Sequence, residues 1–315
     1  MDKKFKTFDE QIGILRSRGL QISEGSKRIL EQENYYSLIN GYKELFIATP
    51  PTAETEETYK KGTSFEELKA LYDFDFELRM ILLRRILRVE NHFKSSIAYT
   101  FSQQYSHDNY LKIENFDAQV TKNKVAQLKN IVQLLQGIQG EIAKNISKHN
   151  SIKHYMTEYG YVPLWVLVNV LSIGTISKFF NLMKQTDRQA VGKSFKIHEA
   201  ELSKMIGLLT LVRNKCAHDE RLFDFKSKTQ IPTNKIHTSL SIPLNSGGQP
   251  ISGNHDVFAV LICLKLLLTP SDFAKMFSEL TVVLTELSEK LNVISKDVVL
   301  NKMGFPTNWS SLNEI

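Results

Sequence analysis

The chain has 315 residues, of which 42% are hydrophobic and 23% are charged, a balance that excludes fibrous and largely disordered proteins. It is long enough to bury one large helical domain or two modest ones. Lysine and arginine number 40 against 34 aspartate and glutamate, and the net charge of +6 favours approach to a polyanion. A solvated basic surface without a ligand is an equally good interpretation of that charge.

Apolar residues recur with helical spacing along most of the chain, whereas strand-like alternation is scarce, so the predicted fold class is all-α. Residues 8–47 are predicted to form short helices separated by glycines. Residues 50–62 are predicted to be a polar loop. A long helix should follow and run to about Phe101, because Ser64 and Glu67 have the spacing of a capping box.

The apolar face of this long helix also carries two charged residues. At about 100° per residue, Arg79 and Glu90 fall on the apolar side. They either form a buried pair that holds helices together or support a functional site, and direct catalysis is the least favoured role. Glu90 is the better supporting residue, because its carboxylate could position Arg213 or His218. The apolar positions are Leu68, Tyr72, Leu83, Ile86, Phe93 and Ile97.

Between the later helices lies a long segment rich in serine, glycine, proline and asparagine, at about 222–256. Loops of this length are usually functional or disordered. Because helical sequence flanks the segment on both sides, the chain is predicted to be a single domain, 1–315, with a loop insertion. The later helices are predicted at about 118–147, 163–185, 198–218, 256–268 and 271–294. The helix at 163–185 should have Pro163 in its first turn and a kink at Gly174.

The sequence predicts a cytoplasmic protein that does not enter a membrane. Its N-terminus is polar and lacks the apolar segment of a secretory signal. The most apolar run, Val162 to Ile173, is shorter than the roughly 20 residues that a membrane span needs. Cys216 and Cys263 are far apart among apolar neighbours, which is typical of reduced core cysteines.

An arginine interrupts the apolar stripe of the predicted helix that starts at Glu199. The stripe continues from Leu209 to Arg213 at a spacing of four residues. His218 follows five residues later, roughly 140° around an ideal helix, whereas Asn214, His218 and Arg221 share a face. The helix should therefore end or distort near His218, or the arginine must reach round. The stripe before Arg213 consists of Leu202, Ile206 and Leu209.

Arg213 and His218 together suit the cleavage of a phosphodiester in RNA. RNA supplies its own nucleophile, the 2′-hydroxyl, so the protein needs a proton-transfer group and a fixed cation. His218 fits the first role and Arg213 the second, while Asn214 could orient the imidazole and Arg221 could hold a neighbouring phosphate. This chemistry requires no metal or other cofactor.

A purely structural role for these residues is the alternative. His218 and Arg221 would favour the negative end of a helix dipole, and Arg213 would form an internal salt bridge. The spacing alone favours this alternative, because an arginine and a histidine this close occur by chance in many proteins.

Three other functional patterns fail on inspection. Gly192-Lys193-Ser194 resembles the end of a phosphate-binding loop, but Asp187 stands where the first glycine is required. The remaining histidines lack zinc-ligand spacing. The pairs Tyr35-Tyr36 and Phe179-Phe180 could stack on bases, but packing in a helical core is favoured.

The segment Arg213 to His218, Arg-Asn-Lys-Cys-Ala-His, resembles the Arg-Asn-x-x-Ala-His motif of the Abi-like (abortive infection) branch of the HEPN superfamily. The likeness extends over nearly the whole chain, in the same order. The other similar segments are Leu15 to Leu20, Asn34 to Tyr42, Leu71 to Arg79, Pro163 to Trp165, Ser172 to Phe179, and Met303 to Pro306 with Trp309.

The resemblance implies an all-α HEPN-like helical bundle with additional N-terminal and C-terminal helices, the N-terminal extension covering about 1–60. It implies a homodimer in which two Arg…His helices meet in one cleft and cut RNA without a metal, leaving a 2′,3′-cyclic phosphate. Abi-like members are associated with phage defence and toxin-like growth arrest, which makes an antitoxin protein or non-coding RNA a candidate partner. HEPN proteins that bind RNA without cutting it are the alternative.

Overall fold

The computed structural model describes residues 4–118 and 123–315. Within them the chain is mostly α-helical, which confirms the predicted all-α fold. The start of the helix predicted at 118–147 lies partly outside the described residues. The helices are α1 Phe8–Ser17, α2 Ser26–Gln32, α3 Phe65–Tyr105, α4 Lys124–Asn145, α5 Asn150–Tyr159, α6 Leu164–Leu167, α7 Ile173–Leu182, α8 Gln185–Phe195, α9 Glu199–Ala217, α10 Lys235–Ser239, α11 Val257–Leu267, α12 Pro270–Lys290 and α13 Lys296–Lys302.

A small antiparallel hairpin lies between α2 and α3. Its strands are β1, Ile47–Thr49, and β2, Thr58–Tyr59, with Ile47 opposite Tyr59. The prediction that 50–62 is only a polar loop is therefore wrong at its end. Two-residue strands are too short to show alternation, and β2 is fixed by tertiary contacts, such as the bond from the Tyr59 amide to the Arg18 carbonyl.

Helix α3 is the central element, and at 41 residues it is about 60 Å long. Its predicted capping box is present, because Ser64 and Glu67 exchange hydrogen bonds of 3.2 Å. The other oxygen of Glu67 accepts the amides of Asn292 and Val293, both at 2.7 Å, which ties the start of α3 to the chain after α12. Helices α12, α9 and α8 pack along α3.

Helix α11 fills the centre of the C-terminal half. Every residue from Val257 to Leu264 is buried, and a helix that is apolar all round belongs inside a core. It contacts α3, α9 and α12, so the C-terminal helices share one hydrophobic core with the site-bearing helix α9.

Several predicted segments differ in the structure. The single helix predicted at 163–185 is two helices, α6 and α7, because Ser172 caps a new helix through a 3.1 Å bond to the Thr175 amide. Gly174 therefore lies in the first turn of α7 and does not kink a longer helix. The largely polar helices α5 and α8 were not predicted, since each buries few apolar residues.

The insertion at about 222–256 is packed against the rest of the protein and contains α10. Its two ends pair with each other, with a 2.7 Å bond from the Ser227 amide to the His255 carbonyl and a 2.8 Å bond from the Ile231 amide to the Asn254 carbonyl. Buried side chains give it an apolar interior. These are Leu222, Phe223, Phe225, Ile231, Ile236, Leu240 and Ile242.

Over the described ranges 4–118 and 123–315, none of the helices is both long and apolar enough to cross a membrane.

Candidate functional site

Helix α9 ends at Ala217, and His218 is its C-terminal cap. The predicted termination near His218 is thus confirmed. The His218 amide still donates to the Asn214 carbonyl at 3.0 Å, but the backbone then leaves the helix, with Asp219 at φ +56°. The side chains of Asn214 and His218 are both exposed. This helix end presents an imidazole and an amide to solvent.

Arg213 lies against α3, where Glu90 meets it. Nε of Arg213 is 3.8 Å from Oε2 of Glu90, and the Arg213 side chain keeps 33% exposure against 6% for Glu90. Oε1 of Glu90 is 2.7 Å from Nζ of Lys94, one helical turn further along. One buried carboxylate therefore lies between two cations, and the guanidinium of Arg213 is positioned at the edge of the core with part of it open to solvent.

Arg79 does not pair with Glu90, so the expectation of a buried pair between these two residues is wrong, and Arg79 does not contact Arg213 either. Its guanidinium is buried and donates to Oδ2 of Asp75 at 2.6 Å and to Oδ1 of Asp219 at 2.5 Å. Burial lowers the pKa of Arg79, but Asp75 and the other neighbouring groups outweigh it and the net shift is upward. Arg79 fixes the residue directly after His218.

Asp75 is a buried carboxylate that organises the turn after α9. It accepts the Tyr42 hydroxyl at 2.7 Å, the Leu222 amide at 3.0 Å and the Phe223 amide at 2.6 Å, in addition to Arg79. Burial raises the pKa of Asp75, and these hydrogen bonds and the Arg79 charge act against that rise. Through Asp75 the long helix, the N-terminal segment and the start of the insertion meet at one point.

Arg221 lies beyond the end of α9, so the expectation that it shares a helix face with Asn214 and His218 is wrong. Its guanidinium donates to the carbonyl of Gly41 and lies 2.8 Å from Asp224. The cause is the left-handed residue Asp219, which breaks the helical spacing on which the shared face depended. Arg221 borders a cavity of about 940 Å³ between the N-terminal segment and residues 215–226.

The contacts of α9 show why the two charged residues of α3 act on different parts of the motif. Arg213 contacts Glu90. Asp219, which follows Arg213 in the chain, contacts Arg79, which precedes Glu90 in α3. The two segments therefore run antiparallel. Along α3 the eleven residues from Arg79 to Glu90 span about 16 Å, so the two contacts hold opposite ends of the segment that contains His218.

Sequence reasoning missed three residues of this arrangement, Asp75, Lys94 and Asp219. A local signal existed for two of them. Asp75 precedes Arg79 by four residues, and Lys94 follows Glu90 by four, which is the spacing of paired charges on one helix. Asp219 carries no such signal, because its partner is 140 residues away in sequence.

Of the remaining candidate groups, the two cysteines and the pair Phe179-Phe180 lie in the core, whereas the predicted core packing is wrong for Tyr36. Cys216 and Cys263 are free and buried, and burial raises the pKa of Cys216 to about 12, which leaves it an unreactive thiol. Phe179 and Phe180 are core residues, whereas Tyr36 is 74% exposed at the Arg221 cavity. In the part of the chain that the structure describes, no three histidine, cysteine or acidic side chains are grouped to hold a metal ion.

The fold and the site define an all-α protein with an exposed histidine at the end of helix α9. Ion pairs with buried residues of the long central helix α3 hold the end of α9 in place. A family model described as Abi-like protein matches residues 28–224. The chain therefore belongs to the Abi-like protein family, and this membership suggests a function in abortive infection. Neither the curated proteins nor the solved structures include one that matches the chain.

Proposed function

We propose that the chain is a metal-independent endoribonuclease of the HEPN type that acts as a toxin-like effector of phage defence. The observation that supports this most directly is the placement of Arg213. Glu90 holds the inner nitrogen of its guanidinium at 3.8 Å while 33% of the side chain stays exposed, on the helix that ends at the exposed His218. A fixed cation near a free imidazole is the minimum that RNA cleavage requires.

In the proposed reaction the 2′-oxygen of the substrate forms a bond to phosphorus and the bond from phosphorus to the 5′-oxygen breaks. A histidine accepts the proton of the 2′-hydroxyl, and a protonated histidine donates a proton to the departing 5′-oxygen. Arg213 stabilises the charge that develops on the phosphate oxygens. The products are a 2′,3′-cyclic phosphate and a 5′-hydroxyl, so no water or metal is consumed in this step.

Asn214 is proposed to hydrogen-bond a phosphate oxygen or the imidazole, since its exposed amide lies one helical turn before His218. Arg221 is assigned a different role from the one its spacing suggested. Its guanidinium is occupied by the Gly41 carbonyl and Asp224, so it anchors the N-terminal segment. Glu90 and Arg79 are positioning residues, the first for Arg213 and the second for the turn after His218.

The proposed enzyme is a homodimer whose two α9 ends meet in one cleft, which would supply two histidines for the two proton transfers. A protein that cuts RNA while remaining monomeric at micromolar concentration in sedimentation experiments would contradict the shared cleft. The proposed restraint on such a toxin is an antitoxin, either a small protein or a structured RNA. Co-expression with the neighbouring genes, scored by relief of growth arrest, tests for one.

The experiment is RNA cleavage by purified protein in the presence of EDTA. Wild type is compared with Arg213→Ala and His218→Ala, and the exposed residues Arg28 and His149 supply matched controls as Arg28→Ala and His149→Ala. We expect loss of about a hundredfold or more in each site variant and no loss in the controls. The 3′ ends of the fragments should carry a cyclic phosphate.

Three outcomes would contradict the nuclease. Cleavage that survives both site substitutions, or that stops when EDTA is added, removes the assigned site. Binding of RNA without cleavage, weakened in the same two variants, supports the alternative of an RNA-binding or sensor protein. Loss of thermal stability in both variants without any interaction with RNA supports a structural role for Arg213 and His218.

A further inference from the structure

Next to the Arg213 contact, a cavity of about 680 Å³ lies between α3 and the end of α6. Lys94, which binds Glu90, is one of its lining residues, so the cavity is connected to Arg213 through a single carboxylate. Two large aromatic residues also line it, Tyr99 with 70% exposure and Trp165 with 49%. Two exposed rings that line one cavity form a patch on which a flat ligand can stack.

The aromatic rings continue beyond the cavity. The Trp165 centroid is 6.2 Å from that of His107, which is 4.8 Å from Tyr161, which in turn is 6.3 Å from Tyr159. Tyr99, Trp165, His107, Tyr161 and Tyr159 together are called the aromatic surface below. It offers a succession of ring faces and edges, of which Tyr99 lies nine residues beyond Glu90 on α3, a rise of about 14 Å along the helix.

Charge distinguishes this cavity from the one beside Arg221. Its lining contains Lys94 and, among the described residues, no aspartate or glutamate. The cavity beside Arg221 is lined by four carboxylates and four basic side chains, which together carry no net charge to attract a polyanion. The carboxylates are Glu33, Asp219, Glu220 and Asp224, and the basic side chains are Arg79, Lys215, Arg221 and Lys226. A negatively charged strand leaving Arg213 meets no carboxylate among the described lining residues of the cavity beside Tyr99, which favours that side.

Polar groups also surround Tyr99 in this cavity. The hydroxyl oxygen of Ser102 is buried and has no hydrogen-bond partner among the described residues. The exposed amides of Asn91 and Gln103 line the same cavity. Amides and hydroxyls next to aromatic rings are the groups with which proteins bind unstacked bases.

We infer that the aromatic surface binds the single-stranded RNA substrate, with bases stacked on Tyr99 and Trp165 while the strand continues to Arg213. The inference rests on the proposed nuclease function for its choice of ligand. Stacking is tolerant of sequence, because every base has a ring face. This subsite therefore selects unpaired RNA over duplex and adds little preference among the four bases.

The test measures binding separately from cleavage. The probe is a fluorescent single strand of about twelve 2′-O-methyl nucleotides, which lacks the nucleophile and cannot be cut. Tyr99→Ala and Trp165→Ala should each weaken binding about tenfold, and Trp165→Phe should restore most of it. Tyr36→Ala is the matched control, because Tyr36 is similarly exposed, at 74%, but lies at the cavity beside Arg221. A duplex of the same sequence should bind weakly to every variant.

Two results would overturn the inference. Equal binding by wild type and both alanine variants, or an equal loss in Tyr36→Ala, shows that the aromatic surface does not hold RNA. A change of sedimentation mass in Tyr99→Ala or Trp165→Ala, with unchanged RNA binding, assigns the surface to contact between two copies of the chain. The two proposals fail separately: selective loss of probe binding without any cleavage by wild type retains this subsite and removes the nuclease. Cleavage and probe binding that are both unaffected by the two substitutions retain the nuclease and remove this subsite.

Discussion

Nε of Arg213 and Oε2 of Glu90 face each other at 3.8 Å, and neither buried atom has a hydrogen-bond partner among the described residues. The distance is too long for a hydrogen bond, so the pair is held by charge alone. An ion contact of this kind can tighten when a ligand draws the guanidinium into place. We therefore expect Glu90 to set the orientation of Arg213 more than the packing of α9 on α3.

Glu90→Gln tests that control. The substitution keeps the shape of the side chain but removes its charge, so the guanidinium loses its anchor. We expect the rate constant for RNA cleavage to fall about ten- to hundredfold, while binding of the uncleavable 2′-O-methyl strand changes little. Single-turnover kinetics and fluorescence anisotropy measure the two quantities.

Glu77→Gln is the control, because Glu77 lies on the same helix and is exposed. It should leave both quantities unchanged. If Glu90→Gln cuts RNA at the wild-type rate, Glu90 is a structural residue and the positioning role is withdrawn.

Arg79 is expected to matter for stability. Arg79→Met leaves the carboxylate of Asp75 buried without its cation, and breaking a buried pair in this way costs about 3–5 kcal/mol. Asp219→Asn removes the other partner, whose side chain is 70% exposed, and asparagine tolerates the left-handed backbone at φ +56°. That change should alter the free energy of unfolding by about 0.5 kcal/mol or less.

Urea denaturation of the two variants separates these costs. Adding Asp75→Asn to Arg79→Met should recover part of the loss, because both the Leu222 and the Phe223 amides reach Oδ1, at 3.3 and 2.6 Å, and asparagine keeps that oxygen as an acceptor. Equal destabilisation by Arg79→Met and Asp219→Asn would contradict the assignment of the stabilising contact to Asp75.

Local signals in the sequence were sufficient for the elements that position the site. The capping box at Ser64 marks the start of α3, and the apolar stripe leading to Arg213 marks α9. Such signals depend on residues within one or a few helical turns, so they can be recognised before the fold is known. The short β2 and the polar helices α5 and α8 carry weak local patterns, and their conformations depend on contacts with distant parts of the chain.

The site was only partly predictable for a related reason. The motif identified Arg213 and His218, and helical spacing placed Glu90 near the apolar face. Helical spacing failed for Arg221, because it assumes that the helix continues beyond His218. The contacts that redirect the chain join Asp75 to amides 147 and 148 residues away in sequence. Local spacing in a single sequence does not reveal a contact over so many residues.

Gly304 is predicted to be irreplaceable, although it lies far from α9 in sequence. Its φ is +85°, and a Cβ there would overlap the carboxylate of Asp256, the buried N-terminal cap of α11. Gly304→Ala combines backbone strain with this overlap, so we expect a loss of about 2–5 kcal/mol in the free energy of unfolding.

Gly62→Ala is a matched control, because Gly62 has a similar φ of +89° and its nearest atom to an added Cβ is a methyl group at 3.8 Å. It should cost only the backbone strain, about 1–2 kcal/mol. Thermal denaturation of both variants gives the comparison. A loss in Gly304→Ala no greater than that in Gly62→Ala would show that the carboxylate of Asp256 moves aside freely.

The insertion contains a buried histidine whose hydrogen bonds suit its neutral form. His237 is buried, its Nε2 lies 2.9 Å from the Gly253 carbonyl oxygen, and its Nδ1 accepts the Asn234 amide at 3.2 Å. Nε2 must therefore carry the proton and Nδ1 a lone pair. Burial lowers the pKa of His237, and these two hydrogen bonds and Asp256 only partly oppose that shift.

This placement predicts that the protein loses stability in mild acid. Near the ordinary histidine pKa of 6.5 the unfolded chain binds a proton at this position more readily than the folded chain, so stability falls as pH decreases through that value. The slope contributed by His237 is at most about 1.4 kcal/mol per pH unit. His237→Gln keeps a donor for the Gly253 carbonyl and should be less stable at pH 7.5 but flatter between about pH 7.5 and 5.5. Melting temperatures measured across that pH range give the slope of stability for each variant. His149→Gln is the control, because His149 is exposed. An unchanged slope in His237→Gln would show that other groups cause the acid sensitivity.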